Sequence, residues 1–220
     1  MEIKVMANIL DKNDRIAADI NCRLSKKGIF VLNLLGSPGS GKTSLLEKTI
    51  DVLKSELRLA VIEGDLFTSK DAERINSHGI PVIQINTGGG CHLDAIMVQN
   101  VLDRLHLDEL DMIIIENVGN LVCPAEFNIG EDAKATVLSI TEGEDKPLKY
   151  PLMFKQASVT VLNKVDLLPY TSFDMEAAID DIISINPRMT LIQASCRTGE
   201  GLQPWFDWLR EQVHNKQARS

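Results

Sequence analysis

The chain has 220 residues, of which 44% are hydrophobic and 25% are charged, and its formal net charge is −8. This length and composition predict one large domain with a sizeable apolar core. The negative charge and the lack of a basic run argue against a nucleic-acid partner. Because no apolar run approaches about 18 residues, we also expect no membrane partner.

The beginning of the sequence, residues 1–4, lacks the apolar core of a signal peptide, so we expect a cytoplasmic protein. The four cysteines are widely spaced in the sequence. In a reducing compartment this spacing favours metal binding, reactivity or packing over disulfides. We expect Cys22, in the N-terminal helical pattern, to be a packing residue.

The first 27 residues predict a helical segment that packs on the domain that follows. Ile16, Ile20 and Leu24 share one helical face, and Gly28 ends the run. In residues 28–220, apolar strand candidates alternate with helical patterns. The predicted strands are 29–35, 59–63, 82–85, 112–116, 136–140, 159–163 and 191–194. The predicted helices are 44–56, 71–77, 93–105, 174–185 and 202–217.

Strands that are apolar throughout and alternate with helices are typical of an α/β fold. In such a fold a mainly parallel sheet is covered by helices on both faces. Ligands of such sheets bind at the carboxyl ends of the strands. The sequence therefore directs attention to the residues that follow each predicted strand.

Residues 36–43, Gly-Ser-Pro-Gly-Ser-Gly-Lys-Thr, have the G-x-x-x-x-G-K-T spacing of a phosphate-binding loop. Its glycines let backbone N–H groups wrap a phosphate, and the following helix N-terminus favours an anion. Lys42 places a cation on the β- and γ-phosphates, and Thr43 offers a hydroxyl to Mg²⁺. The predicted phosphate-binding residues are Gly36, Ser37, Pro38, Gly39, Ser40, Gly41, Lys42, Thr43 and Ser44.

Residues 163–166, Asn-Lys-Val-Asp, follow a predicted strand and have the N-K-x-D pattern of a base-reading loop. The Asp166 carboxylate can accept two hydrogen bonds from guanine, which has an N1–H and an exocyclic amine. Adenine has an acceptor at N1, so a site of this kind discriminates strongly against it. Asn163 braces the loop, and the stem of Lys164 covers the face of the base. The nucleotide predicted from these residues is GTP or GDP.

Ser195, Cys196 and Arg197 follow the next predicted strand and resemble the S-A-K loop of guanine-binding proteins. In that loop a main-chain N–H contacts guanine O6. The departures from the pattern at Cys196 and Arg197 leave this contact possible, because it does not use the side chains. We expect Cys196 to be a small buried residue and not a metal ligand.

Acidic residues stand at the ends of two predicted strands. We assign Asp65 to positioning magnesium-bound or attacking water, and we place it with Lys42 and Glu116 in the catalytic set. Gly119 can bring a backbone N–H to the γ-phosphate, a contact that exists with GTP and is lost with GDP. The loop after Gly119 is therefore a predicted switch. Because no glutamine lies near it to orient water, we expect slow intrinsic hydrolysis.

Residues 87–92, Thr-Gly-Gly-Gly-Cys-His, form a second unusual segment. In a flexible glycine loop, Cys91 and His92 can both turn towards one ion, and Cys123 is a plausible third ligand. Such ligands suit Zn²⁺, Ni²⁺, Co²⁺ or Cu⁺. Either water or a second subunit would complete the coordination. Because Cys123 lies four residues after Gly119, metal affinity and nucleotide state would be coupled, reciprocally for binding.

Two connections, at about 117–135 and 141–157, are predicted to be long and irregular. Such loops in a compact domain usually have a function. The second contains apolar residues at 149–154. Two explanations remain open: another molecule covers these residues, or the loop folds over its own core.

Three segments together resemble the HypB family of hydrogenase nickel-incorporation GTPases, most closely an archaeal type. They are 36–43, 88–94 (Gly-Gly-Gly-Cys-His-Leu-Asp) and 116–124 (Glu-Asn-Val-Gly-Asn-Leu-Val-Cys-Pro), and the resemblance extends over about 17–209. It implies a P-loop NTPase of the SIMIBI class that assists nickel delivery to the large subunit of nickel–iron hydrogenase. It also implies a GTP-dependent homodimer with zinc or nickel at Cys91, His92 and Cys123.

The same resemblance implies a HypA-type maturation protein, and sometimes a nickel-storing chaperone, as partners. Some bacterial members carry an N-terminal cysteine-rich motif or a histidine-rich tract. Neither stands in this sequence, so we expect no N-terminal nickel store. Two enzyme alternatives remain open: a related urease-type nickel GTPase, and a P-loop phosphotransferase with structural cysteines. A non-catalytic binding module with a relic nucleotide loop is a third.

Overall fold

The computed structural model describes residues 4–65 and 70–220, which form a seven-stranded parallel sheet flanked by helices. The order across the sheet is β3-β2-β4-β1-β5-β6-β7. The strands are β1 (Phe30–Gly36), β2 (Leu59–Asp65), β3 (Val82–Asn86), β4 (Met112–Glu116), β5 (Ala133–Ser139), β6 (Val159–Asn163) and β7 (Thr190–Ala194). All seven predicted strands and the predicted α/β P-loop fold are therefore confirmed.

Helices connect the strands. Some of them were predicted from the sequence, and others lie in segments that were expected to be irregular. They are α1 (Lys4–Ser25), α2 (Lys42–Leu53), α3 (Lys70–Asn76), α4 (Ala95–Leu102), α5 (Cys123–Glu126), α6 (Lys146–Lys149), α7 (Pro151–Gln156), α8 (Met175–Ile185) and α9 (Gln203–Gln217). The N-terminal helical pattern is confirmed as far as the described residues reach, since residues 1–3 lie outside them. The two long connections were expected to be irregular, but they contain α5, α6 and α7.

The two faces of the sheet carry different helices. One face packs against α2, α3 and α9, and the other packs against α1 and α4 at one end and α5, α7 and α8 at the other. The central strand β1 is buried along its whole length. Within the described part of the chain, no helix is both apolar enough and long enough to cross a bilayer.

Helix α9 is fastened to α2 by a buried tryptophan. The indole Nε1 of Trp205 donates a 2.8 Å hydrogen bond to Thr49 Oγ1, and its ring stacks on Trp208 with centroids 5.8 Å apart. A buried indole N–H that finds a partner avoids the penalty of desolvation. Because α2 begins at Lys42, this contact connects the C-terminal helix to the helix of the phosphate loop.

The apolar residues at 149–154 divide between core and surface. Met153 and Phe154 are fully buried, whereas Leu152 is 37% exposed and Leu148, just before the segment, is 58% exposed. Met153 and Phe154 thus fold over the protein's own core, whereas Leu152 remains at the surface. Asn186 holds the segment in place, because its Nδ2 donates to the carbonyl oxygens of Phe154 and Ala157.

Cys22 is exposed, so the expectation that it packs in the core was wrong. The buried face of α1 contains Ala17, Ile20 and Leu24. Cys22 lies two residues from both Ile20 and Leu24, and at 3.6 residues per turn this spacing points it away from the sheet.

Candidate functional site

The phosphate loop links β1 to α2 and forms the floor of a cavity of about 520 Å³ at the carboxyl edge of the sheet. Gly41 has φ of 100°, and a Cβ there would lie 2.2 Å from Asn163 Nδ2, so only glycine fits. Lys42 is buried, and its Nζ donates to the carbonyl oxygens of Gly36 and Ser37 at 3.3 and 3.2 Å. The loop therefore has the shape of an anion cradle with a cation already beside it.

Two buried carboxylates lie beside Thr43 at the ends of neighbouring strands. Thr43 Oγ1 donates to Glu116 Oε1 at 2.9 Å, and Glu63 is the register partner of Glu116 in β2 and β4. Within the described residues, Glu63 Oε2 and Glu116 Oε2 are buried without a hydrogen-bond partner. Burial raises the pKa of both carboxyl groups. Unpaired oxygen atoms beside a threonine hydroxyl fit Mg²⁺, which prefers oxygen ligands.

Asp65 ends β2 and lines the same cavity as Glu63 and Glu116. The structure thus places the predicted Asp65 in the same cavity as Thr43 and Lys42, and its role stays a prediction. Glu63 was not among the predicted site residues. The signal that could have found it is its alignment with Glu116, which becomes visible only once β2 and β4 are paired in register.

The predicted base-reading residues surround a second cavity of about 270 Å³, which adjoins the phosphate cavity at Gly41 and Lys164. Asp166 Oδ1 accepts a 2.6 Å hydrogen bond from Ser195 Oγ, which fixes the carboxylate that is predicted to read guanine. The cavity is lined by Gly41, Ser44, Asn163, Lys164, Asp166, Leu167, Cys196 and Arg197.

Side chains of the base-reading loop also brace the phosphate loop. Asn163 Nδ2 donates to Ser40 O at 2.9 Å, and Lys164 Nζ donates to Gly39 O at 2.6 Å. The main-chain N–H of Cys196 donates to Asn163 Oδ1 at 3.2 Å. Cys196 packs in the core, and burial raises the pKa of its thiol to about 11, so it is a small buried residue as expected.

The predicted switch lies against the phosphate loop. A Cβ on Gly119 would approach Pro38 N to 3.0 Å, which leaves little room for any larger residue. The next residue, Asn120, donates its N–H to Gly36 O at 3.1 Å. The segment that follows β4 therefore touches the phosphate loop at Gly36 and Pro38.

Cys91, His92 and Cys123 come together at the surface, where the predicted switch approaches the Gly-Gly-Gly-Cys-His segment. Their ligand atoms all lie within 4.8 Å of one another, with 2.9 Å between the two Sγ atoms and 3.6 Å between Cys91 Sγ and His92 Nδ1. Two thiolates on one zinc ion lie about 3.7 Å apart, given a Zn–S bond of about 2.3 Å. A small widening of the thiol pair therefore accommodates a divalent ion.

The imidazole of His92 is held by an aromatic neighbour. Its ring stacks on Phe127 with centroids 3.9 Å apart and an interplanar angle of 26°. Partial burial lowers the pKa of His92, which favours the neutral form that binds metals. Phe127 follows α5 directly, and α5 begins with Cys123. Helix α5 therefore presents one ligand, and the residue directly after it orients another.

The parallel sheet, with its phosphate loop between β1 and α2, defines a P-loop nucleotide-binding protein. The family model described as "CobW/HypB/UreG, nucleotide-binding domain" matches residues 30–193. The "Hydrogenase maturation factor HypB" of Azotobacter vinelandii is 53% identical over 210 residues, which is 96% of this chain and 69% of that protein. The chain belongs to the HypB family of hydrogenase maturation factors.

Two solved structures share the fold over most of this chain. HypB from Helicobacter pylori, crystallised in complex with nickel, has a TM-score of 0.87 and 38% identity, covering 93% of this chain and 96% of that chain. HypB from Archaeoglobus fulgidus also has a TM-score of 0.87 and 38% identity, covering 93% and 100%. Its identity is below that of the Azotobacter relative, so the sequence identities do not favour the archaeal type expected from the motifs.

Proposed function

We propose that this protein is a GTP-hydrolysing metallochaperone that assists nickel insertion into nickel–iron hydrogenase. One observation carries the proposal: the segment 116–123 runs from the Thr43–Glu116 contact to Cys123 of the Cys/His cluster. Nickel is the cargo in this proposal. The names of the HypB relatives and the nickel complex of the Helicobacter pylori protein support it.

In this proposal Asp166 reads guanine, and Ser195 holds its carboxylate in place. Lys42 leaves its two carbonyl partners to bind the β- and γ-phosphates, because a phosphate oxygen is a stronger acceptor for an ammonium group. Thr43 and Asp65 would hold Mg²⁺, which neutralises charge on the phosphates when bound. Asp65 also positions the attacking water.

Hydrolysis serves a switch in this proposal and is slow. The N–H of Gly119 binds the γ-phosphate and draws segment 116–123 towards the phosphate loop, and the contact is lost when phosphate leaves. GTP thereby promotes homodimer formation, and each subunit contributes Cys91, His92 and Cys123 to a zinc or nickel site. A HypA-type maturation protein and the hydrogenase large subunit are the proposed partners, in the cytoplasm.

Equilibrium metal binding tests the proposal. Nickel affinity of the full chain is measured by competition with a coloured chelator, once with GDP and once with a non-hydrolysable GTP analogue, while light scattering records the mass. We expect different affinities in the two states and a doubled mass with the analogue. Equal affinity and equal mass in both states would overturn the coupled switch.

Guanine recognition is tested by Asp166→Asn. The change replaces an acceptor by a donor, so the variant should lose GTP affinity and gain affinity for xanthosine triphosphate, which presents a carbonyl oxygen in place of the amine. Unchanged GTP affinity would contradict the assignment.

A separate assay distinguishes a GTPase from a phosphotransferase. Release of phosphate from GTP without a phosphorylated small-molecule product would identify a GTPase.

A further inference from the structure

One buried oxygen atom joins the predicted switch to residues 87–93, the metal loop, which carries Cys91 and His92. Asn117 follows β4 and is 1% exposed. Its Oδ1 accepts the N–H of Val118 at 3.0 Å and the N–H of Leu93 at 3.1 Å. Val118 precedes Gly119, and Leu93 follows His92. The same atom therefore holds the peptide that leads to the γ-phosphate position and the peptide that leads to two metal ligands.

The other end of the Asn117 amide continues into the centre of the sheet. Its Nδ2 donates to Asn33 Oδ1 at 3.2 Å, and Asn33 Nδ2 donates to Glu131 Oε1 at 3.2 Å. Asn33 is fully buried in β1. Breaking one hydrogen bond in a buried chain leaves a donor or acceptor without a partner, which costs free energy. The groups of such a chain therefore tend to move together.

This chain of hydrogen bonds ends beside the third metal ligand. Lys134 is buried, and its Nζ lies 3.4 Å from Glu131 Oε1. It also donates to Ala125 O at 3.1 Å. Ala125 is the second residue after Cys123 in the short helix α5. Both branches from Asn117 therefore reach a segment that carries a metal ligand.

The Leu93 side chain gives the metal loop a pivot. It is fully buried and packs over Gly64, where a Cβ would lie 2.7 Å from Leu93 Cδ1. Close packing against β2 prevents the side chain from sliding. A shift of the Leu93 N–H must then turn the main chain about this point and redirect His92 and Cys91, which come directly before it.

We propose that Asn117 is a positioning residue that transmits the nucleotide state to Cys91, His92 and Cys123. The inference rests on the proposed function, because it names the contact through which the coupling acts. When the γ-phosphate draws Gly119 inward, Val118 moves, and the shared Oδ1 shifts the Leu93 N–H with it. Metal affinity then changes with the nucleotide, and the nucleotide affinity changes by the same factor with metal.

The test is the ratio of nickel affinities with the GTP analogue and with GDP, measured on the full chain by chelator competition and by thiolate-to-nickel absorbance. We expect a wild-type ratio of about 5- to 150-fold in either direction. Asn117→Ala removes both arms of the network, so its ratio should fall to within about twofold of one while nickel and both nucleotides still bind. If that variant does not fold, Asn117→Ser gives the same comparison, because its hydroxyl is too short to reach the Leu93 N–H.

Asn13→Ala is the matched control. Asn13 is also buried and holds the start of α4, just after the metal loop, since its Oδ1 accepts the N–H of Ala95 at 2.9 Å and its Nδ2 donates to Asn128 O at 2.8 Å. Asn13 makes no hydrogen bond to Asn117 and meets the network at its far end, where Asn128 Oδ1 accepts from Lys134 Nζ at 3.4 Å. The variant should therefore lose stability and keep the wild-type ratio. The role of Asn117 would be overturned if Asn117→Ala kept the wild-type ratio of nickel affinities, or if Asn13→Ala lost that ratio equally. Either result would leave the proposed coupling itself intact. A wild-type ratio of one would overturn the proposed coupling itself.

Discussion

The side-chain amide of Asn163 donates a 2.9 Å hydrogen bond to the carbonyl oxygen of Ser40, joining residues that are 123 positions apart. The base-reading loop and the phosphate loop are thus tied to each other by the protein's own hydrogen bonds. Asn163 also accepts the N–H groups of Lys164 and Cys196 through its Oδ1. Preorganisation of this kind lowers the conformational cost of binding.

We predict that Asn163→Ala weakens binding of both GTP and GDP by about 10- to 100-fold. The change leaves Ser40 O and two N–H groups without their hydrogen-bond partner. We expect this to cost about 1–3 kcal/mol of binding free energy. Isothermal titration with each nucleotide measures it. Asn186→Ala is the control, because Asn186 likewise donates to two carbonyl oxygens but far from the site. A comparable loss of affinity in both variants would contradict the prediction.

Gly41→Ala should abolish nucleotide binding while leaving a folded protein. Its Cβ would lie 2.2 Å from Asn163 Nδ2, so the brace between the two loops must break. Gly79→Ala controls for backbone strain, since Gly79 has φ of 79° and no atom within 4 Å of an added Cβ. That variant should lose about 1 kcal/mol of stability and bind nucleotide normally. Fluorescent-nucleotide binding and thermal unfolding distinguish the two, and normal binding by Gly41→Ala would refute the argument.

Cys123→Ser should reduce nickel affinity by at least about 100-fold, because even the loss of an outer-shell partner costs about 10- to 100-fold. A serine hydroxyl is a poor substitute for a thiolate towards this ion. Cys22→Ser provides the comparison, since Cys22 is an exposed thiol outside the cluster. Chelator competition at equal protein concentration measures both. Equal affinities in the two variants would exclude Cys123 as a ligand.

The buried carboxyl group of Glu63 should make the stability of the protein without nucleotide fall as the pH rises. Burial, with the neighbouring Glu116 charge, raises the pKa of Glu63 above its ordinary value of 4.5. Above that value the unfolded chain has released a proton that the folded state still holds, so the free energy of unfolding falls with pH. Glu63→Gln removes this titration. Urea unfolding at about pH 5 and pH 8 measures how far the free energy of unfolding falls between the two values. The fall should be smaller in the variant than in the wild type, and equal falls would contradict the prediction.

Contiguous motifs made much of this protein predictable. The phosphate loop, the base-reading loop and the Gly-Gly-Gly-Cys-His segment each combine residues that are neighbours in sequence, so their chemistry can be read without a fold. The seven strands were also predictable, because a parallel sheet buried on both faces needs nearly continuous apolar runs. Cys123 could be added to the cluster because a second motif contained it.

Contacts made by strand pairing could not be predicted from the sequence. Glu63 and Glu116 face each other only through the register of β2 and β4, and Asn33 meets Asn117 only because β1 and β4 are neighbours. Short helices such as α7 were missed for another reason. Four to six residues are too few to display a 3.6-residue period, and packing against the sheet decides their conformation.

The only two tryptophans of the chain both lie on α9, at positions 205 and 208. Trp205 is tied through Thr49 to α2, the helix that starts at Lys42. Intrinsic tryptophan fluorescence therefore comes from one region of the molecule, helix α9 and its contact with α2. If nucleotide binding moves α2, the change should be visible in this emission without an added dye.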